Sequence, residues 1–347
     1  MTKKTTIYDI AEKLGITAAT VSRALNGNTK ISEATRQLVN DTAKDMNYEQ
    51  NTLALALKSG KSYNVGVIVP RIDSNFFASV IRGIEEELYP KGYHVIICQT
   101  HDQKSVEMEN INSLLNAQVD GILMSISNSG PEESQSFDRL LKKNVPLIFF
   151  DRKKEIDGVS SVTIDDFKGG YQATQHLIDQ GCKRIAHLTS NREILIFKNR
   201  YLGYKQAIID NGLVFDEGLV LETMSKVTEG RNVTKQLLDM ETPPDAIFSS
   251  SDFVALGAIQ EIKSRGIKIP EEICVVGFAN EPFTRFMELS ITSVDQSPVE
   301  MGRIAAQVFL EEVGNGKKIK TQKQVVLTPE LMIRISSLKS SLLVNSQ

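Results

Sequence analysis

Residues 6–39 read TIYDIAEKLGITAATVSRALNGNTKISEATRQLV, and three short helical patterns lie within them. Ile7, Ile10, Ala11 and Leu14 recur at helical spacing before Gly15 interrupts. A second pattern over residues 17–24 puts Val21, Ala24 and Leu25 on one face, with Thr17 placed to cap its start. A third, roughly residues 32–45, opens on Ser32 with Glu33 in its first turn, and both favour a helix N-terminus. Its Leu38, Ala43 and Met46 are expected to close a small core. Two helices joined by a short turn with a glycine make a helix-turn-helix, whose second helix enters the DNA major groove. The outward face of that helix carries Thr17, Ala18, Ala19, Thr20, Ser22 and Arg23. Hydroxyls bond phosphates, alanine methyls meet thymine methyls, and an arginine bonds O6 and N7 of guanine. The bland alternative is that three small helices build a protein-interaction domain.

Charge distribution favours DNA. The 347-residue chain has a net charge of −3, but residues 1–61 hold nine Lys/Arg against six Asp/Glu. The remainder holds 31 against 37, so a small basic head precedes a larger acidic body. No apolar run approaches the ~18 residues that span a bilayer. The basic N-terminus leads into polar sequence rather than an apolar signal core, so a cytoplasmic location is expected. Cys98, Cys182 and Cys274 are odd in number and far apart, which fits neither a disulfide framework nor a metal site. Cys98 and Cys274 lie in apolar runs and are expected to be buried packing residues.

From Tyr63 onward, short apolar runs alternate with amphipathic stretches. VGVIVP (65–70), HVIICQT (94–100), GILMSI (121–126) and PLIFFD (146–151) read as fully buried strands. SVTI (161–164), RIAHLTS (184–190), LVLETM (219–224), AIFSSS (246–251) and ICVVGFA (273–279) continue the series. Helices such as 75–89 and 104–116 lie between them. This alternation implies parallel sheets covered by helices on both faces. So many strands fit two successive sheets better than one. Open α/β sheets bind ligands at the carboxyl ends of their strands, so two lobes facing each other make a cleft. The strand ends here are polar, as in Asp151-Arg152 and Ser251-Asp252, although strand ends are polar in any α/β protein.

No catalytic set emerges. His94, His101, His176 and His187 lack metal-ligand spacing, and His187, inside an apolar run, reads as a satisfied core residue. Gly314-Asn315-Gly316-Lys317 lacks the first glycine of a phosphate-binding loop and reads as a surface turn.

Residues 6–39 resemble the head of the lactose-repressor (LacI/GalR) family almost position for position. Tyr8-Asp9-Ile10-Ala11, Gly15-Ile16-Thr17, Thr20-Val21-Ser22-Arg23 and Leu25-Asn26 carry the match. The resemblance implies that Ala18, Ala19 and Arg23 read bases, while Tyr8, Thr17, Thr20, Ser22 and Asn26 hold phosphates. It also implies that residues 50–61 form a hinge helix that folds on DNA. Asn51 matches there, and Leu57 matches the leucine that wedges between base pairs. Gln50 stands where proline is common and Leu55 where a basic residue is frequent.

The resemblance extends to about residue 338. It implies an N-terminal all-α helix-turn-helix headpiece and a C-terminal α/β two-lobed core like that of periplasmic binding proteins, with three crossings between lobes. The expected layout is a DNA-binding domain at 1–49, the hinge at 50–61, an effector-binding core at 62–339 and a tail at 340–347. One lobe is expected over about 62–162 plus 294–323, the other over about 163–291 plus 324–339. Carried-over effector positions are Asn75, Phe76, Phe77, Asp151, Arg200, Ser251, Asp252 and Asn280. Ser251 replaces a frequent asparagine, and Ala279 falls where many sugar-responsive members have aspartate, leaving Asn280 or Glu281 to substitute.

The expected protein is a homodimeric regulator, a repressor of a carbohydrate-metabolism operon, on palindromic operator DNA. A small-molecule effector, a neutral or acidic sugar first and a purine or sugar phosphate behind it, controls it. No cofactor, metal or membrane contact is implied. Two competing readings remain: a sugar-binding module of transport, opposed by the head, and an enzyme on an α/β scaffold, opposed by the lack of a nucleophile–base pair.

Overall fold

The computed structural model describes residues 5–49, 60–127, 135–314 and 322–339. The chain divides into two compact units, residues 1–62 and 63–347. In the first, helices α1 (Ile7–Leu14), α2 (Ala18–Leu25) and α3 (Glu33–Asp45) enclose Ile10, Ala11, Val21, Ala24, Val39 and Ala43. Local chemistry sets their ends. Thr6 and Asp9 form a capping box at α1, and Gly15 closes it with φ +65°, a backbone state cheap for glycine. Thr17 Oγ1 accepts from the Thr20 amide at 3.2 Å and so starts α2. The third helix corrects one expectation: Leu38 is 54% exposed, whereas Val39 is fully buried. Val39 lies four residues before Ala43, so it shares that face of the helix.

The second unit holds two six-stranded sheets. The first runs β11-β5-β4-β3-β1-β2, from β1 (Asn64–Val69), β2 (His94–Gln99), β3 (Gly121–Met124), β4 (Leu147–Phe150), β5 (Ser160–Ile164) and β11 (Gln324–Leu327). Every pairing in it is parallel. The second runs β12-β10-β9-β8-β6-β7, from β6 (Ile185–Thr189), β7 (Val220–Glu222), β8 (Ala246–Ser249), β9 (Cys274–Phe278), β10 (Thr292–Asp295) and β12 (Glu330–Met332). Only β12 is antiparallel, to β10. Central strands such as β3, β4, β8 and β9 are buried at every residue, which is why they read as continuous apolar runs. The edge strands β2 and β7 are not fully buried, contrary to the sequence expectation. Ile97 on β2 is 49% exposed, and Cys98 is half-buried rather than buried. Cys182 and Cys274 are the buried thiols.

The chain passes between lobes after β5, after β10 and after β11. The second crossing enters helix 298–314, which packs on β3, β4 and β5 of the first sheet. These crossings move the expected lobe limits. β11 pairs with β5 through Val325↔Val162, so residues 324–327 belong to the first lobe, not the second. Residues 294–295 complete β10 and belong to the second lobe, and 163–164 complete β5 in the first.

Three helix pairs cover the sheets at close range. They join α4 (Asn75–Leu88) to α12 (Pro298–Gly314), α7 (Asp166–Asp179) to α8 (Leu195–Asp210), and α9 (Val227–Leu238) to α10 (Asp252–Ser264). Each crossing has reciprocal glycines: Gly83 with Gly302, Gly170 with Gly203, and Gly230 with Gly257. A Cβ on any of the six would come within 2.0–2.2 Å of a carbonyl oxygen of the facing helix. Backbones therefore touch, and the helices are fixed against each other. Asn51, Leu57, Gln50, Leu55, Asn315 to Lys317 and the tail from 340 fall outside the described residues.

Candidate functional site

In the head, the start and outer face of α2 form a polar surface. Thr17, Ala19, Arg23 and Asn26 are exposed, Thr20 and Ser22 are half-buried, and Tyr8 on α1 is 72% exposed. Thr17 and Thr20 bond each other through their hydroxyls at 2.9 Å, and Asn26 Nδ2 donates to the Ser22 carbonyl at 2.6 Å. These bonds fix side-chain directions on the face that carries Arg23. Ala18 differs from its neighbours: it is half-buried and packs against the helical core.

In the second unit, a cavity of about 190 Å³ opens between the two lobes. The first lobe contributes Ile126 and Ser127 beyond β3, residues 151–154 beyond β4, and Thr163 and Ile164 at the end of β5. The second lobe contributes Asp166 at the start of α7, and residues 193–196 with Asn199 at the start of α8. All these elements present strand carboxyl ends or helix N-termini, where α/β folds place ligands.

Asp151 lies in this wall with φ +60°, is buried, and accepts from Ser125 Oγ at 2.9 Å. Burial pushes its carboxyl above the usual range, against the pull of Arg152. Asp166 is also buried, and burial raises it to about 6 despite Arg200 beside it. Arg200 stands behind Asp166 rather than in the lining. Its Nε donates to Asp166 Oδ1 at 2.7 Å, one terminal nitrogen to the Ser250 carbonyl at 3.1 Å, and the other to Gln296 Oε1 at 3.2 Å. Its guanidinium carbon sits 3.7 Å from the centre of the Phe278 ring. Each of its three nitrogens thus already has a protein partner.

The other carried-over positions lie elsewhere. Phe76 and Phe77 are buried in the main core, edge to face at 5.1 Å, and Asn75 is exposed at the start of α4. Asp252 is fully buried, accepting from Ser293 Oγ at 2.7 Å and from the Glu281 amide at 2.8 Å. Asn280 bonds Asp295 at 2.5 Å and Arg334 at 2.6 Å, so its amide supports the scaffold. Ser251 is half-buried at the cap of α10. Of the eight positions, the described lining contains only Asp151. It adds Lys153, Lys154, Asp166 and Glu193, which the sequence reading did not single out, and Arg152, which it named only as part of a polar strand end. The run Arg152-Lys153-Lys154 at a strand's carboxyl end was the available signal.

His187 is buried as expected. Its Nδ1 bonds the Phe248 carbonyl at 3.1 Å while Nε2 has no partner among the described residues. Burial drives its pKa down to about 3, so it stays neutral among the rings of Tyr201, Tyr204 and Phe248. Among the described residues no group of His, Cys, Asp and Glu is arranged to hold a metal, and no helix is long and apolar enough to cross a membrane.

Comparison with known proteins matches both parts of the chain. Residues 6–51 match the family model described as bacterial regulatory proteins, lacI family. Residues 62–336 match that of periplasmic binding proteins and the sugar binding domain of the LacI family. The HTH-type transcriptional regulator DegA of Bacillus subtilis (strain 168) is 31% identical over 96% of this chain and 98% of its own. The HTH-type transcriptional repressor PurR of Haemophilus influenzae (strain PittEE) is 30% identical over 97% and 99%. A solved complex of the transcriptional regulator CelR with cellobiose covers 96% of this chain and 100% of its own, at TM-score 0.71 and 28% identity. The relatives are regulators rather than enzymes, and the head and the two-lobed core together match them end to end. The chain belongs to the LacI family of DNA-binding transcriptional regulators, with a helix-turn-helix head and an effector-binding core.

Proposed function

We propose that the protein represses a carbohydrate-metabolism operon, binding a palindromic operator as a cytoplasmic homodimer and changing its DNA affinity when a sugar enters the interlobe cavity. The observation that carries this reading is the joining, in one chain, of an exposed Arg23-bearing helix face to a cavity between two lobes. In the head, Arg23 and Ala19 read bases, with Ala18 at the edge of the contact. Tyr8, Thr17, Thr20, Ser22 and Asn26 hold phosphates. Asn51 and Leu57 belong to the hinge contact with the minor groove. In the core, Asp151 and Asp166 bond the ligand's hydroxyls through their carboxyl oxygens, and Arg200 acts through Asp166.

A sugar suits the lining better than a purine does. Among the described lining residues no aromatic ring offers a stacking face, whereas carboxylates and a threonine hydroxyl are present. The complex of CelR with cellobiose points the same way. Exposed apolar residues such as Tyr89 and Ile97 give a second copy surface to bury.

Selection of duplexes from a random library by the full chain tests the DNA half of this reading. The expected product is a palindrome with half-sites about one helical turn, ~34 Å, apart. Enrichment of no sequence over bulk DNA would overturn it.

A further inference from the structure

We propose that the interlobe cavity takes a small anionic sugar, a sugar acid or sugar phosphate, whose charged group sits against Arg152, Lys153 and Lys154. This rests on reading the cavity as the effector site and names the chemistry of what fills it.

Three consecutive cations follow Asp151 at the carboxyl end of β4, and all three line the cavity. Their side chains are not splayed into solvent: those of Arg152 and Lys153 are 15% and 16% exposed. Arg152 is pinned on one side by Asp102 at 2.5 Å, and Lys153 by Glu155 at 2.8 Å. Both acids are more exposed than the cations they hold, so water already supports them if the cations turn to a ligand. Arg152 Nε is buried and has no hydrogen-bond partner among the described residues; the nearest carboxylate oxygen, on Asp151, is 3.9 Å away. A buried donor left unpaired costs free energy that an incoming anion removes.

The second lobe adds a favourable field. The 16-residue helix α8 begins at the cavity, with Ile194 at its cap position. Isoleucine cannot cap, no side chain bonds the first amides, and the first turn holds no acid. The positive end of the helix therefore faces the same space as the three cations. Carboxylates are present too, but two of the three are muted. Asp166 is neutralised by Arg200, and Asp151 is held by Ser125 and kept by burial toward its protonated form. Glu193 is the third. A neutral sugar would use these acceptors and offer a hydroxyl oxygen to Arg152 Nε, but it brings no charge to the three cations at that end of the cavity. The volume, about 190 Å³, is below the ~300–1,000 Å³ of pockets for drug-sized ligands and suits a single ring.

The test is calorimetric titration of the full-length protein with matched probes: glucose and galactose, their uronates, and their 6-phosphates. At least one anionic probe is expected to bind at least about tenfold more tightly than its neutral parent. That preference should shrink as salt rises, and it should be lost in the double variant Lys153→Gln/Lys154→Gln. Lys153→Arg/Lys154→Arg should restore it, which separates charge from damage to the fold. Preference for the uronates assigns a carboxylate, and preference for the 6-phosphates a phosphate; either supports the proposal. Equal or tighter binding of the neutral parents overturns it, as does a preference that survives in the glutamine variant. So does failure of every anionic probe to bind by about 10 mM. A neutral sugar that binds and shifts operator affinity would remove the anion while leaving the interlobe effector reading intact.

Discussion

Arg200 Nε donates to Asp166 Oδ1 at 2.7 Å, with both side chains about 5% exposed. Asp166 begins α7 immediately after the first crossing between lobes, and Gln296, another Arg200 partner, lies in the second crossing. One guanidinium therefore ties two crossings together while its carboxylate partner faces the cavity. A ligand that bonds Asp166 therefore acts directly on a segment that joins the two lobes.

Arg200→Ala leaves Asp166 buried without its counter-ion. The expected loss of stability is about 3–5 kcal/mol, read by urea unfolding. The same substitution in an Asp166→Asn background should cost clearly less, because the two residues are coupled. Equal losses in both backgrounds would show that the pair contributes packing only.

Gly203→Ala places a Cβ 2.0 Å from the Phe167 carbonyl oxygen, and backbone cannot yield as a side-chain tip can. The helices α7 and α8 must separate, at a cost of about 1–3 kcal/mol. A fall in melting temperature checks this; an unchanged melting temperature would mean the close crossing is dispensable.

Glu281 is buried beside Asp252, and burial with that like charge raises its pKa to about 7. A carboxyl whose folded pKa lies above its unfolded value favours folding while protonated and loses that advantage as pH rises. The loss accumulates from the ordinary glutamate range up to about 7. Glu281→Gln should therefore be stabilising at pH ~8 by about 1 kcal/mol, after allowing for screening by water, and neutral near pH ~4. Paired melts at the two pH values give the answer; a pH-independent difference would rule the titration out.

Arg23→Ala should weaken operator binding by about 1–3 kcal/mol and relax preference at one base pair per half-site. Uniform weakening across all sequences would instead make Arg23 a phosphate contact.

The fold was legible because its signals are local. Gly15, Thr17 and Ser32 mark the helix ends of the head, and buried strands such as Ile247–Phe248 announce themselves as apolar runs. Edge strands were misread because β2 has the same composition as a central strand, and nothing in HVIICQ says that one flank is open. Lobe limits failed for a related reason: β11 is short, and its pairing with β5 links residues about 160 apart. The site was half legible. Asp151 was placed by its strand end, but whether Asp252 and Asn280 face the cavity depends on Ser293 and Arg334, which are distant in sequence. Beyond their place at a strand end, nothing in the sequence marks Lys153 and Lys154 as cavity residues, because the facing wall comes from distant residues of the second lobe.

The most direct test of the account measures linkage. Operator affinity is determined by fluorescence anisotropy with and without the sugar that gives the largest thermal shift, and sugar affinity with and without operator. The account predicts that each ligand changes the other's affinity by the same factor, typically about 5–150-fold, and that Asp166→Asn reduces that factor. Operator affinity that stays constant at saturating sugar would contradict it.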